Sequence, residues 1–240
     1  MKKISILLAL LPLTIFAQES TEGTMSMSNW LGIWDNSKSV PAFNIQGIGY
    51  NDIPRDVFYR GIIVECLEFD DANGHNILIL TQTGIFPVSE KNEAGEYEKV
   101  GDKAEINAYL LARSDEKSTY KSIWKVADFE TCPELDLYVG FTKKSLSITD
   151  VNADGVAEVS FQYTLFCRGD VSPADRKLYC FNSNEKFIFL GITTMEGMST
   201  DEPTIEAKTE MPSSVKELMQ QKWLKFEKDD ITWSFGYPSK

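Results

Sequence analysis

The stretch that decides the fold is Gly61-Ile62-Ile63-Val64-Glu65-Cys66-Leu67-Glu68-Phe69-Asp70-Asp71-Ala72-Asn73-Gly74-His75-Asn76-Ile77-Leu78-Ile79-Leu80-Thr81. Two apolar runs, rich in Ile, Val and Leu, flank a short polar segment. Within that segment the dipeptide Asn73-Gly74 is a strong signal for a tight hairpin turn. The stretch therefore predicts two antiparallel strands, over 61–69 and 76–81, joined by a turn over 70–75.

Similar short apolar runs, separated by polar turns, continue along the chain. In one of them Val159, Phe161, Tyr163 and Leu165 recur at every second position, which places them on one face of a strand. We therefore predict a mainly β protein (α+β at the margin), with an antiparallel sheet or sandwich over 43–194. The further predicted strands lie at 104–113, 120–129, 135–141, 145–149, 159–166, 178–181 and 186–192.

The period of the apolar residues changes near the C-terminus. The segment 195–212 is acidic, contains Pro203 and Pro212, and is predicted to be a linker or loop. Over 213–240 the spacing becomes helical, and Ser214 with Glu217 forms a capping-box pair. One amphipathic helix should therefore pack against the β domain, through Val215, Leu218, Met219, Trp223 and Phe226.

The N-terminus has the features of an export signal. Lys2 and Lys3 precede a short apolar run that ends at Ala17, so residues 1–17 are predicted to be a signal peptide cleaved after Ala17. Residues 18–42 follow as a flexible segment. The apolar run is shorter than the roughly 20 residues of a membrane span, and no transmembrane segment is predicted in the mature chain. The expected location is the periplasm, the cell surface or the exterior.

The charge of the chain excludes some partners. There are 36 acidic and 24 basic residues, for a formal net charge of −12, which becomes about −14 without the signal peptide. Nucleic-acid binding depends on Lys and Arg side chains that neutralise phosphates, and an anionic membrane surface repels an acidic protein. The composition argues against both, and it favours a solvated surface and divalent cations.

Four cysteines lie in the predicted mature chain, where export permits disulfides. None has the C-x-x-C spacing of zinc ribbons or thioredoxin-like motifs. Cys132 and Cys167 flank loops and are predicted to form a disulfide. Cys66 and Cys180 lie inside apolar runs, where they could pair or remain buried thiols.

The segment Asp150-Val151-Asn152-Ala153-Asp154-Gly155-Val156-Ala157-Glu158 has ligand-like spacing. Oxygen-bearing side chains occupy positions 1, 3, 5 and 9, a glycine permits a sharp turn at position 6, and Ca²⁺ prefers about six to eight oxygen ligands. Predicted strands flank the segment, which excludes an EF-hand and resembles the calcium-binding hairpin loops of integrin-type propeller repeats. We predict a structural Ca²⁺ site formed by Asp150, Asn152, Asp154, the Val156 carbonyl and Glu158. The alternative is a turn in which Asp150 and Asn152 bond their own backbone.

Catalytic signals are weak by comparison. His75 is the sole histidine, and no G-x-S-x-G motif or activated cysteine accompanies it. Carboxylate pairs such as Asp70/Asp71, Asp128/Glu130 and Asp229/Asp230 would be needed by a glycosidase, but sequence does not supply their separation in space. Aromatic residues could instead stack on sugars or fill the core; these are Trp30, Trp34, Tyr50, Phe58 and Tyr59.

The region 148–178 is similar to a family of exported, mostly uncharacterised Gram-negative proteins labelled surface polysaccharide biosynthesis proteins. The shared features are the D-x-N-x-D-G-x-x-E loop at 150–158, the C-R-x-D-V-S-P motif at 167–173, and Lys177-Leu178. The resemblance implies a part in making or exporting surface glycan, and it brings no catalytic residue. Together the observations predict an exported, calcium-binding, non-enzymatic protein that supports surface polysaccharide assembly by binding a glycan or a cell-envelope protein. The alternative is a carbohydrate-active hydrolase that uses two carboxylates.

Overall fold

The computed structural model describes residues 32–38, 40–170, 172–194 and 202–227. The predicted signal peptide, Trp30, most of the predicted flexible segment and the chain after residue 227 lie outside these ranges. Within them the protein is mainly β, with two antiparallel sheets and one C-terminal helix, so the predicted fold class is confirmed. Short 3₁₀ helices span Asn36–Lys38, Pro41–Phe43 and Tyr50–Asp52.

The first half of the chain forms sheet 1, in the order β1-β2-β3-β5-β4 with β6 on the other edge of β5. The predicted hairpin is present, but its tight turn is Ala72-Asn73, and Gly74 already pairs with Asp71. Gly74 has φ 124°, and a Cβ there would lie 2.4 Å from the carbonyl oxygen of Arg113. Glycine is therefore required where the hairpin meets β5. The strands are β1 Gln46–Gly47, β2 Ile62–Asp71, β3 Gly74–Gln82, β4 Phe86–Lys91, β5 Tyr97–Arg113 and β6 Lys121–Cys132.

The second half forms sheet 2, in the order β12-β11-β10-β9-β7 with β8 also on β9. The edge strand β12 lies inside the acidic segment 195–212, which the sequence indicated only as a linker or loop. It pairs with β11 through Phe187–Leu190, and its side chains are exposed. The strands are β7 Asp136–Phe141, β8 Ser147–Thr149, β9 Glu158–Arg168, β10 Asp175–Asn182, β11 Glu185–Ile192 and β12 Thr204–Ala207.

The two sheets pack face to face as a sandwich. Leu67 and Ile106 of sheet 1 and Phe161 of sheet 2 are fully buried in one shared core. Trp124 of β6 stacks on Phe181 of β10, with ring centroids 4.0 Å apart. Each fully buried side chain of this kind stabilises the fold by about 1.5–3 kcal/mol, so the sandwich interior is the main source of stability.

Both outer faces of the sandwich are also covered. Ile48 and Val57, from the segment before β2, pack on the outer face of sheet 1. On sheet 2 the helix α1, Ser213–Lys225, packs through Val215, Met219 and Trp223. Polar residues of β9 that alternate with its apolar ones are therefore buried too. Among the described residues, no helix has the length and apolar character needed to cross a membrane.

The predicted capping box of α1 is wrong. Pro212 occupies the N-cap position without a side-chain hydrogen bond, and the Lys216 N–H donates to the Pro212 carbonyl over 2.9 Å. The helix therefore starts at Ser213, and Ser214 already lies within its first turn. Extended backbone at Pro212 (ψ 143°) ends the preceding segment and lets the helix begin two residues earlier than the capping-box pair requires.

The C-terminal end of α1 is held by polar groups from the body of the protein. The buried Arg176 donates to the Trp223 carbonyl over 2.9 Å, and its guanidinium lies 3.6 Å from the Trp223 ring. Thr194 donates to the Glu227 carbonyl from its N–H (2.7 Å) and from its hydroxyl (2.9 Å). The Arg176 contact satisfies a carbonyl that the helix end leaves open, and its charge favours the negative end of the helix dipole. The Thr194 bonds hold the chain just after the helix.

The predicted disulfide is confirmed. Cys132, at the end of β6, is bonded to Cys167 of β9, so the bond joins sheet 1 to sheet 2. Cys66 and Cys180 are free and buried under the two outer layers. Burial raises the pKa of each of these thiols to about 12, so both remain protonated and unreactive at neutral pH.

Candidate metal centre

The acidic loop 150–158 connects β8 to β9 at one end of the sandwich. β8 and β9 pair through Thr149 and Glu158, which brings the two ends of the loop together. Ala153 (φ 58°) and Gly155 (φ 79°) adopt left-handed backbone that turns the chain inside the loop. The glycine at the sixth position of the pattern therefore has the conformation that its spacing predicted.

The side chains of this loop accept hydrogen bonds from its own backbone. Asp150 accepts the Asp154 N–H at Oδ1 (3.0 Å) and the Gly155 N–H at Oδ2 (3.2 Å). Asp154 Oδ1 accepts the Val156 N–H over 2.8 Å, and its Oδ2 accepts the Asn152 amide over 2.8 Å. These are the local bonds of the alternative Asx-turn interpretation. They leave further lone pairs on each carboxylate oxygen, so they are compatible with a cation.

Glu158 differs from the other acids of the loop because it is fully buried. Its Oε2 accepts the Val151 N–H over 2.8 Å and the Thr149 hydroxyl over 3.4 Å, whereas no described residue gives its Oε1 a hydrogen bond. Burial raises the pKa of Glu158, the Val151 N–H opposes that rise, and the charges of Asp150 and Asp154 add to it. A buried carboxylate oxygen close to two further carboxylates is an environment that a divalent cation would stabilise.

The loop side chains do not converge into a ready metal site. In the part of the chain that the structure describes, no group of three His, Cys, Asp or Glu residues is placed to hold a metal ion. Asn152 and Asp154 are exposed, Asp150 is half-buried, and Glu158 is buried below them. The ligand set Asp150, Asn152, Asp154, the Val156 carbonyl and Glu158 therefore remains a prediction.

Sequence reasoning missed Asp71 as a partner of this loop. Asp71 Oδ2 accepts the Ala157 N–H over 3.0 Å, and the Ala72 N–H donates to the Gly155 carbonyl over 2.8 Å. The loop of sheet 2 is thereby docked on the β2–β3 turn of sheet 1. No local signal could have shown this contact, because Asp71 and Ala157 are 86 residues apart.

The catalytic candidates have structural partners. His75 contacts Asp70 (2.8 Å) with Nδ1 and Glu68 (3.5 Å) with Nε2. Asp128 Oδ2 accepts the Tyr163 hydroxyl over 2.7 Å and pairs with Lys177 over 2.6 Å, which ties β6 to sheet 2. Asp229 and Asp230 lie outside the described residues. None of these contacts specifically favours a two-carboxylate hydrolase.

The predicted aromatic platform is divided by the fold. Trp34 packs against the sandwich core. Tyr50 and Tyr59 instead line one cleft of about 380 Å³ on the outer face of sheet 1. Phe58 is 85% exposed beside them in the sequence. The structure therefore brings two of the five aromatic residues together at one place.

Comparisons of the chain with protein-family models, with curated proteins and with solved structures find no match. The resemblance of region 148–178 to surface polysaccharide proteins therefore stays a prediction.

Proposed function

We propose that this is an exported, non-enzymatic protein that binds Ca²⁺ through loop 150–158 and supports surface polysaccharide assembly by binding a glycan or a cell-envelope protein. The observation that carries the calcium part is the unpartnered, buried Oε1 of Glu158 beside the Asp150 and Asp154 charges. Carboxylates, an amide and a backbone carbonyl are the hard oxygen ligands that Ca²⁺ prefers. The proposed ion is structural, and it stabilises the contact between the loop and the β2–β3 turn.

The test of the calcium site is thermal melting in EDTA and then in added Ca²⁺. A ligand at 100 times its Kd stabilises the folded state by about 2.7 kcal/mol. For a domain of this size that corresponds to a rise in Tm of roughly 5–10 °C. Asp154→Ala should abolish the rise, because it removes one ligand and the hydrogen bond to Val156.

Asp170→Ala is the matched control for that experiment. Asp170 is also exposed, and its Oδ1 accepts the N–H two residues further on, from Ser172, over 2.9 Å. It lies near the disulfide, so its removal should leave the Ca²⁺-dependent rise unchanged. A wild-type protein whose Tm does not respond to Ca²⁺ would refute the calcium proposal.

The glycan part is tested separately from calcium. The full chain is immobilised and incubated with purified surface polysaccharide. The amount of polysaccharide that stays bound to the protein and the number of new reducing ends are both measured. Retention without new reducing ends supports a binding protein. Release of reducing ends that is lost on replacement of a single acidic residue would establish the hydrolase instead.

A further inference from the structure

We propose that the cleft lined by Tyr50, Asn51, Arg55 and Tyr59 binds an acidic sugar residue, such as a uronic acid. The proposal rests on the glycan-binding part of the proposed function, and it names the place and the sugar class. The cleft is formed by the segment 48–59, which covers the outer face of sheet 1.

The cleft is held in shape by the residues beneath it. Ile48 and Val57 are buried against sheet 1, and Ile53 packs on the same cluster. The Ile48 N–H donates to the Cys66 carbonyl over 3.1 Å, and the Val57 N–H donates to the Pro54 carbonyl over 3.0 Å. Because the backbone is anchored at both ends, little ordering is needed on binding. Its volume of about 380 Å³ lies in the range of small-ligand sites.

The side chains that face the cleft have the chemistry of a sugar site. Tyr50 is 63% exposed, and Tyr59 is half-buried against the sheet. Burial raises the pKa of the Tyr59 hydroxyl, and the neighbouring Tyr50 adds to the rise, so both a ring face and a neutral hydroxyl are available. Tyrosine combines an apolar ring with a polar end, and a sugar combines an apolar ring face with hydroxyl groups.

The charge in the cleft selects an acidic sugar. Arg55 is the charged residue among those that line it, and it is exposed. Over the described ranges, the Arg55 guanidinium has no hydrogen bond and no ion pair. No Asp or Glu lines the cleft, although the exposed Asp52 and Asp56 belong to the same segment. Its planar fork of N–H donors matches a carboxylate in bidentate geometry.

A second cleft of the same volume provides a contrast. It is lined by Arg113, Lys121 and several hydroxyl groups. There Arg113 lies over the Tyr120 ring and donates to the Glu116 carbonyl, and Ser118 donates to Asp115 over 2.7 Å. The Lys121 ammonium group has no hydrogen bond or ion pair to another described residue. The second cleft is therefore a control of equal size that also contains basic side chains, but lacks the paired tyrosines of the first.

The test is calorimetric titration of the full chain with trigalacturonic acid and with the neutral galactose trisaccharide. Trigalacturonic acid should bind at least tenfold more tightly than the neutral sugar. Arg55→Gln and Tyr50→Ala should each weaken its binding at least tenfold, whereas Lys121→Gln, in the second cleft, should leave it unchanged. Tyr50 and Arg55 are exposed, so the Tm of both variants should equal that of the wild type.

The outcomes separate this proposal from the calcium site. Binding of trigalacturonic acid should be equal in EDTA and in Ca²⁺, because the cleft lies on a sheet face and the loop lies at the sandwich end. If trigalacturonic acid binds but Ca²⁺ does not raise the Tm, the cleft proposal is supported and the calcium part of the proposed function is refuted. A Ca²⁺-dependent rise in Tm without binding of trigalacturonic acid would refute the cleft proposal and leave the calcium proposal standing. Equal binding of both sugars, or binding that Arg55→Gln leaves unchanged, also overturns the cleft proposal.

Discussion

The two ends of the sandwich join the same two sheets by different means. At one end the Cys132–Cys167 disulfide links β6 to β9. At the other end the acidic loop 150–158 meets the β2–β3 turn through two hydrogen bonds, of 3.0 and 2.8 Å. Strand β9 runs from Glu158 to beyond Cys167, so the two links are about 30 Å apart at roughly 3.3 Å per residue.

This difference shows which conditions each end responds to. A disulfide acts mainly on the unfolded chain and persists wherever the environment is oxidising. The loop end carries Asp150, Asp154 and Glu158 on one segment and Asp71 on the other. Redox conditions should therefore affect one end and cations the other.

The largest expected effect is at the disulfide end. The bond closes a loop of 35 residues, so the double variant Cys132→Ser with Cys167→Ser should lose about 4 kcal/mol of unfolding free energy. Urea unfolding measures this loss. Wild-type protein treated with reductant should match the double variant, whereas equal stability of the oxidised wild type and the variant would contradict the cross-link.

The next largest effect is the pH dependence of stability that Glu65 causes. Glu65 lies in β2, away from both ends of the sandwich. Glu65 is 1% exposed, and neither of its carboxylate oxygens has a hydrogen-bond partner among the described residues. Burial raises its pKa to about 8. Between its ordinary pKa of 4.5 and about 8 the unfolded state is ionised and the folded state is not. Stability should therefore fall by at most about 1.4 kcal/mol per pH unit as the pH rises through this window.

Glu65→Gln should remove that dependence and be more stable than the wild type at pH 8. Urea unfolding at pH 5, 6, 7 and 8 checks the slope, with the exposed Glu98→Gln as the control. Parallel pH profiles of Glu65→Gln and the wild type would show that Glu65 is not the group responsible. The same slope in oxidised and reduced protein would show that it does not depend on the disulfide end.

The smallest effect is expected at the loop end. Asp71 accepts hydrogen bonds from the Asn73 N–H, the Asn76 amide and the Ala157 N–H. Asp71→Ala leaves these donors without a partner, so it should cost about 1–3 kcal/mol in EDTA. Its neighbour Asp70 is exposed and, within the described ranges, pairs only with His75, so Asp70→Ala should cost about 1 kcal/mol or less. Equal losses in the two variants would contradict the docking role of Asp71.

Local pattern predicted much of the fold. The hairpin at 61–81, the alternation in 159–166 and the helical spacing after residue 213 each appear in the structure where the sequence indicated them. Strands β4 and β12 were missed, because both are exposed edge strands without a buried alternating face, and β4 contains Pro87. The Asn73-Gly74 signal gave the hairpin but not its register, which depends on the close approach of Gly74 to β5.

The sequence by itself determined the mainly antiparallel β class and the acidic loop as the most distinctive local motif, and it favoured the Cys132–Cys167 pairing that the structure confirms. These features follow from the periodicity of apolar residues and from the residue types at neighbouring positions in the chain. Only the tertiary structure decided that the loop is docked on Asp71, that Glu158 is buried with a free oxygen, and that Tyr50, Arg55 and Tyr59 share a cleft. Those features arise when the packing of two sheets brings distant residues together, and burial then sets their charge states, neither of which a local pattern encodes.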